Sequence, residues 1–215
     1  MVDLATVVCG YHTYPHIDMD ETALQAGRLT LGALVLLGVT LARGVRVPRD
    51  ARAWGWFAWL GLVGNVAPFA LIAWGQQHVA SSLAGILMAV VPLLTIVLAH
   101  ALLPDEPLNR RRVAAFLIGF AGVVLLIGPL AVAGLRVSGL RLVAELAILG
   151  AACGYALNGV TARLAPALPG LTLATGVLCA AALQALLLAA LIAPAPTLPG
   201  WRAGFAVFLL GVFPT

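Results

Sequence analysis

Residues 79–103, VASSLAGILMAVVPLLTIVLAHALL, hold no Asp, Glu, Lys or Arg in twenty-five positions. Such a run constrains the fold more than any other feature of the chain. A bilayer core about 30 Å thick is crossed by about 20 helical residues, and inside it a helix satisfies all of its own backbone hydrogen bonds. The rest of the chain agrees. Of 215 residues 62% are hydrophobic and 9% charged, with a mean hydropathy of +1.07, well outside the range of soluble domains. The twelve basic residues are all Arg and sit in short clusters between apolar runs. They form no stripe that would suit nucleic acid, so nucleic acid is excluded as a partner and the lipid bilayer is included. Cys9, Cys153 and Cys179 are too few and too scattered for a disulfide framework. No cleavable signal peptide is visible, because the first 28 residues lack a basic stretch followed by an apolar one.

Seven apolar segments are expected as helices, at about 23–42, 53–74, 79–103, 113–133, 142–162 and 171–193, with a last one from about 203 that reaches only Thr215. The fold class is therefore all-α and polytopic, with six full helices and a partial seventh. Connections must alternate between the two sides of the membrane. One side receives Arg43, Arg46, Arg49, Arg52, Arg110, Arg111, Arg112 and Arg163, while the other receives Arg136, Arg141 and Arg202. Arg favours the cytoplasmic side, so the loops 43–52 and 104–112 are expected there, in a multi-pass protein of the bacterial inner membrane.

The chain also repeats itself. RAWGWFAWLGLVGN (52–65) above RAGFAVFLLGVFPT (202–215) aligns Arg, Ala, Leu and Gly at an offset of 150, and the same offset lays 171–193 over 21–43. A unit of five helices used twice would place its two copies in opposite orientations, the plan of many secondary transporters. The run SSLAGILMAVVPLLTIVLAHALLPDEPLNRRRVAAFLIGFAGVVLLIGP then resembles the EamA-type transporters of the drug/metabolite transporter superfamily. The resemblance rests on a helix with a central Pro92, Glu106 where that helix ends, and a following helix with paired Gly119 and Gly122. It covers about 27–215 and implies ten helices in two inverted halves, with small metabolites or drugs moving through a central cavity. On that plan 28–134 is a first half lacking its first helix, and 142–215 a second half lacking its last helices.

The opening GYHTYPHIDMDETALQAGR resembles a different family, the MlrC-like zinc peptidases, in which a TYPH segment supplies a metal-binding histidine. That resemblance implies His16 as a ligand. Zinc needs three or four ligands, and the partners that such a segment would have upstream are absent. Residues 1–27 are accordingly expected to be a disordered remnant that binds no metal, and no cofactor is expected anywhere.

Polar groups at mid-depth in a membrane helix are costly unless they face a partner or an aqueous cavity. Asn65 lies in the middle of 53–74, three residues before Pro68, which removes a backbone donor and frees a carbonyl. Pro92 should break the helix around it. Tyr155 and Asn158 on 142–162, and Gln184 on 171–193, can hydrogen-bond a polar small-molecule substrate. Interhelical packing is the competing reading of each amide. Gly150 with Gly154, and Gly119 with Gly122, are expected to let helices approach closely. Trp54, Trp56 and Trp74 read as interfacial anchors, with Trp59 deeper, and Asp105 and Glu106 as helix-start acids. The apolar segments hold only His100 and Glu145, far apart, so no catalytic constellation supports an enzyme. Beside transport stand a non-transporting membrane partner subunit and a peptidase remnant, and a homodimer is compatible with the sequence.

Overall fold

The computed structural model describes residues 21–45, 47–48, 50–103, 110–127 and 139–192. All regular structure among them is helical. In chain order the elements are α1 (Glu21–Ala42), α2 (Ala51–Gly61), a π-turn (Leu62–Val66), α3 (Ala67–Gln76), α4 (Ser81–Met88), α5 (Val91–Leu102), α6 (Arg110–Ile127), α7 (Gly139–Thr161) and α8 (Gly170–Ile192). Five stretches are long and apolar enough to cross a membrane: Leu24–Ala42, Ala51–Gln76, Ser81–Leu102, Gly139–Thr161 and Gly170–Leu191. The chain is an all-α, polytopic membrane protein. The fourth expected helix, 113–133, appears as α6, whose apolar part is the shorter Val113–Leu125. The partial seventh, Arg202 and its repeat with 52–65 lie outside the described residues, as do His16, Asp105 and Glu106.

The helices divide into two compact units. The first takes in Met1–Asp50 and Pro169–Thr215, the second Ala51–Leu168.

In the first unit α1 lies along α8. α1 begins at Glu21, so residues 21–27 continue the membrane helix backwards as further helical turns. It stops at Gly44, whose φ of +66° suits a residue without Cβ. The Gly44 N–H donates to the Leu41 carbonyl and that of Val45 to the Thr40 carbonyl, both at 3.0 Å, which ties off the last turn in the manner of a Schellman motif. Small residues face inward on this pair: Ala26 and Ala33 from α1, Ala181 and Ala185 from α8, all buried. Without a hydrophobic effect between helices in lipid, such close backbone approach and interhelical hydrogen bonds hold them. Thr40 and Thr175 supply the bond, their hydroxyl oxygens 2.6 Å apart and both fully buried.

In the second unit α7 is the central post, packed by α3, α4, α5 and the π-turn. Its inward face is alanine, with Ala144, Ala151, Ala152 and Ala156 fully buried beside Ile148. Val79, Leu83, Ala84 and Leu87 close on Ala144 and Ile148 at its start. The run around Pro92 is two helices. α4 ends at Met88, Ala89 and Val90 form a turn, and Pro92 sits exposed in the first turn of α5, where its missing N–H costs nothing.

Of the two glycine pairs, the one on α7 meets the interrupted helix, Gly154 closely at Pro68 and Gly150 at ordinary van der Waals distance from Leu71. Gly119 and Gly122 on α6 are exposed, with open space where their side chains would be. The close approach expected of that second pair is absent, since no helix among the described residues comes up to that face. Glu145 is six residues into α7 and buried, and accepts from Arg141 Nε at 3.3 Å.

Candidate functional site at the interrupted helix

Pro68 shapes the site. A proline inside a helix cannot donate to the carbonyl four residues back, and its ring crowds that carbonyl. Here the carbonyl belongs to Gly64, and the chain widens just before the proline. Leu62–Val66 forms a π-turn in which the Ala67 N–H reaches back five residues to the Leu62 carbonyl. One extra residue thus enters the turn while the axis continues into α3. Such turns are rare and gather at functional sites.

α7 packs antiparallel along this broken helix, and four contacts record the register. A Cβ on Gly75 would fall 2.6 Å from Ile148 Cγ1 and 3.1 Å from the Ala144 carbonyl oxygen. Gly150 faces Leu71, and the Cβ position of Gly154 lies 3.0 Å from Pro68 Cγ and 3.2 Å from the Val63 carbonyl oxygen. At the π-turn the Asn158 amide occupies the space beside Gly64, its three head atoms 2.5–2.7 Å from where a Cβ would stand. Tyr155 meets Phe69 edge to face, ring centroids 6.3 Å apart at 84°. At the far end Trp59 Nε1 donates to Thr161 Oγ1 at 3.2 Å, and Thr161 donates onward to the Leu157 carbonyl at 2.8 Å.

The seam therefore brings together Pro68, Tyr155 and Asn158, with Asn65, half-buried, inside the π-turn next to the glycine that Asn158 covers. Pro92 is in the same unit but exposed on the α4–α5 break, and Gln184 is half-buried on α8 in the other unit. Two participants escape a reading of the sequence. Gly64 is one glycine among 23, and its role depends on a partner about ninety positions away. Thr161 carries a weak signal, since it follows Asn158 by three residues and so shares its helix face. Chemically the seam offers amide, phenol and indole groups and a helix whose hydrogen-bond ladder is already shifted. It is a place for binding and bending.

The EamA-like transporter family model matches residues 5–128, more than half of the chain. The chain belongs to the EamA-like transporter family. The matched EamA-like region includes the whole interrupted helix and the opening stretch around His16. Among characterised proteins, a probable terminal-alkyne amino-acid exporter of Streptantibioticus cattleyicolor is 29% identical over 126 residues. The match takes in 56% of this chain and 42% of the exporter, so it spans less than half of that relative's length. A solved crystal structure superposes with a TM-score of 0.74 at 26% identity, covering 97% of this chain and 71% of the other. That superposition takes in α7 and α8, beyond the residues of the family match.

Proposed function

We propose that this EamA-like chain exports small amino-acid-like metabolites across the bacterial inner membrane, with loops 43–52 and 104–112 on the cytoplasmic side. Transport, rather than catalysis or a passive partner role, accounts for the interrupted helix. An ordinary structural helix gains nothing from a π-turn, a proline and an asparagine at mid-depth. The observation that carries the reading is this π-turn, wedged by Asn158 at Gly64 and backed by Pro68 on Gly154, within a chain of a transporter family. The amino-acid class is supported by the exporter of S. cattleyicolor. Asn65, Pro68, Tyr155 and Asn158 contact or shape the substrate path in this reading. Pro92 supplies a flexible wall, Gln184 contributes a further amide, and the two five-helix halves stand inverted.

The test replaces Asn65 with Leu in cells loaded with an apolar amino acid, at matched expression. If the amide only packs, its loss costs about 0.6 kcal/mol, the average for interhelical hydrogen bonds in bilayers, and export continues. If it binds substrate, a polar atom is left unpaired at a cost of about 1–3 kcal/mol, or one to two decades in affinity. Export reduced at least tenfold with normal membrane insertion is the expected result. Unchanged export removes Asn65 from the path, and absent export by the unmodified chain sinks the exporter reading.

A further inference from the structure

Among the described residues, the one buried hydroxyl without a hydrogen-bond partner belongs to Thr172, 2% exposed, in the first turn of α8. Thr40, Thr161 and Thr175, the other buried threonines, each lie within 2.8 Å of the carbonyl four residues back. For Thr172 that carbonyl belongs to Leu168, ahead of the helix start at Gly170, so the usual acceptor is not in place. Other uncommitted donors share the spot. The N–H groups of Gly170, Leu171 and Thr172 open the helix with no carbonyl behind them, since the ladder begins where the Leu173 N–H donates to the Pro169 carbonyl at 3.0 Å. The Cα–Cβ bond of a helical residue tilts toward the N-terminus, which carries the Thr172 hydroxyl toward those three N–H groups. Pro169 and Gly170 are exposed, and nothing lies within 4 Å of the Gly170 Cβ position, so the turn is open to approach from outside. It holds no acid.

α1 supplies the charge. Thr40, near the end of α1, meets Thr175, near the start of α8, and the two helices lie along one another, so they run antiparallel. Arg43 follows Thr40 by three residues and Thr172 precedes Thr175 by three, which sets Arg43 level with Thr172. Arg43 is exposed, and its guanidinium makes no hydrogen bond or ion pair among the described residues. The negative end of α1 offers little opposition, because the N–H groups of Arg43, Gly44 and Val45 already donate to the carbonyls of Val39, Leu41 and Thr40 at 3.0 Å. Both helix ends fall where the apolar spans stop, at Ala42 and Gly170, the level of the lipid headgroups. Three N–H groups at the positive end of a helix suit an oxyanion, and the fork of Arg matches phosphate. We propose that the start of α8, with Thr172 and Arg43, is a phosphate-binding site at the membrane surface. Its ligand is a phosphate group, borne on a lipid headgroup or free in solution, and the experiment separates the two sources. The site belongs to the first unit and does not depend on the exporter reading.

The full chain is purified in dodecyl maltoside, which carries no phosphate, and binding is followed by native mass spectrometry. It is titrated with dioleoyl phosphatidylglycerol, with dioleoylglycerol, which has the same chains and no phosphate, and with inorganic phosphate. At least one phosphate probe should bind saturably, and phosphatidylglycerol, if it is the one, at least tenfold more tightly than dioleoylglycerol. Arg43→Gln should weaken the tightest phosphate site at least tenfold. Thr172→Val, which exchanges the hydroxyl for a methyl of the same shape, should weaken it several-fold while leaving the melting temperature unchanged or raised, because it removes a buried polar group without breaking a bond. A merely structural threonine would not separate binding from stability in that way. Inorganic phosphate binding with the same dependence on both residues assigns the site to free phosphate. Lipid binding that inorganic phosphate does not reproduce assigns it to a headgroup, and either result supports the proposal. Binding that either substitution leaves unchanged overturns it. So does equal affinity for phosphatidylglycerol and dioleoylglycerol without binding of inorganic phosphate, or no saturable binding of either phosphate probe.

Discussion

Single residues on the seam differ in what a methyl group would cost. At Gly154 an added Cβ meets the Pro68 ring at 3.0 Å and a backbone oxygen at 3.2 Å, and at Gly75 it meets Ile148 and another backbone oxygen. Neither helix can retreat without moving the other. Gly154→Ala and Gly75→Ala should each destabilise the protein by about 1–3 kcal/mol, the usual cost of overpacking a tight contact. At Gly64 the obstacle is the Asn158 amide, the end of a rotatable side chain, so Gly64→Ala should cost less stability and instead displace Asn158. Gly119→Ala, with open space around it, should be neutral or better by up to about 1 kcal/mol, the helix-propensity gain over Gly. Thermal unfolding in detergent checks the order, and a Gly119→Ala as harmful as Gly154→Ala would mean that α6 has a close neighbour after all. Asn65 and Pro68 are legible in the sequence because an amide and a proline stand out against an apolar run. Gly64 and Gly119 look alike there, and only the register between α7 and the interrupted helix tells them apart.

At the scale of the elements, uninterrupted apolar length was enough to anticipate most helices. Residues 142–162 became Gly139–Thr161 and 171–193 became Gly170–Ile192. The π-turn was not legible, because one inserted residue leaves an almost uniformly apolar stretch with no periodicity to disturb. It yields a prediction nonetheless. Deleting Leu62, which is 42% exposed, should return Ala51–Gln76 to continuous α-helix and turn everything before it by about 100°, one residue's share of a turn. Trp59 would leave Thr161, and its emission should shift as the indole loses its acceptor. An unchanged spectrum would show that α2 is not held in register by the seam. The α1–α8 pair makes a separate prediction. Thr40 and Thr175 each also lie within 2.8 Å of a carbonyl of their own helix, those of Leu36 and Leu171. Two hydroxyl protons serve three short contacts, so one threonine donates across and the other donates to its own backbone. Either Thr→Val change should cost about 0.6–1.7 kcal/mol, the span measured for such bonds in bilayers. The double variant should cost less than the sum, since both remove one bond. Additive losses in a thermal-unfolding cycle would show that the pair is not coupled.

For the molecule as a whole, orientation follows from which chain ends the second unit gathers together. The antiparallel seam sets Arg52 and Trp59 beside the end of α7, where Arg163 follows Thr161, and sets Gly75 beside Ala144 at its beginning. Val79 and Leu83 meet Ala144 and Ile148, so the path through α4 and α5 starts at that second end and runs back to the first, where α6 begins with Arg110, Arg111 and Arg112. Five Arg thus collect at one end of this unit. At the other, the basic side chain of Arg141 is already engaged by Glu145 at 3.3 Å. Arg counted near the ends of membrane helices marks the cytoplasmic side, so the Arg52 end should face the cytoplasm and His78 the outside. In a background with all three native cysteines replaced, a single cysteine at position 163 should be shielded from an impermeant maleimide in intact cells and react only after the membrane is opened. A single cysteine at position 78 should react in intact cells. Both sites are exposed, so a silent position reports the membrane and not burial. The reverse pattern would invert the chain and place the Arg52 end on the outer face. Labelling of both positions in intact cells would break the alternation of crossings on which the helix count depends.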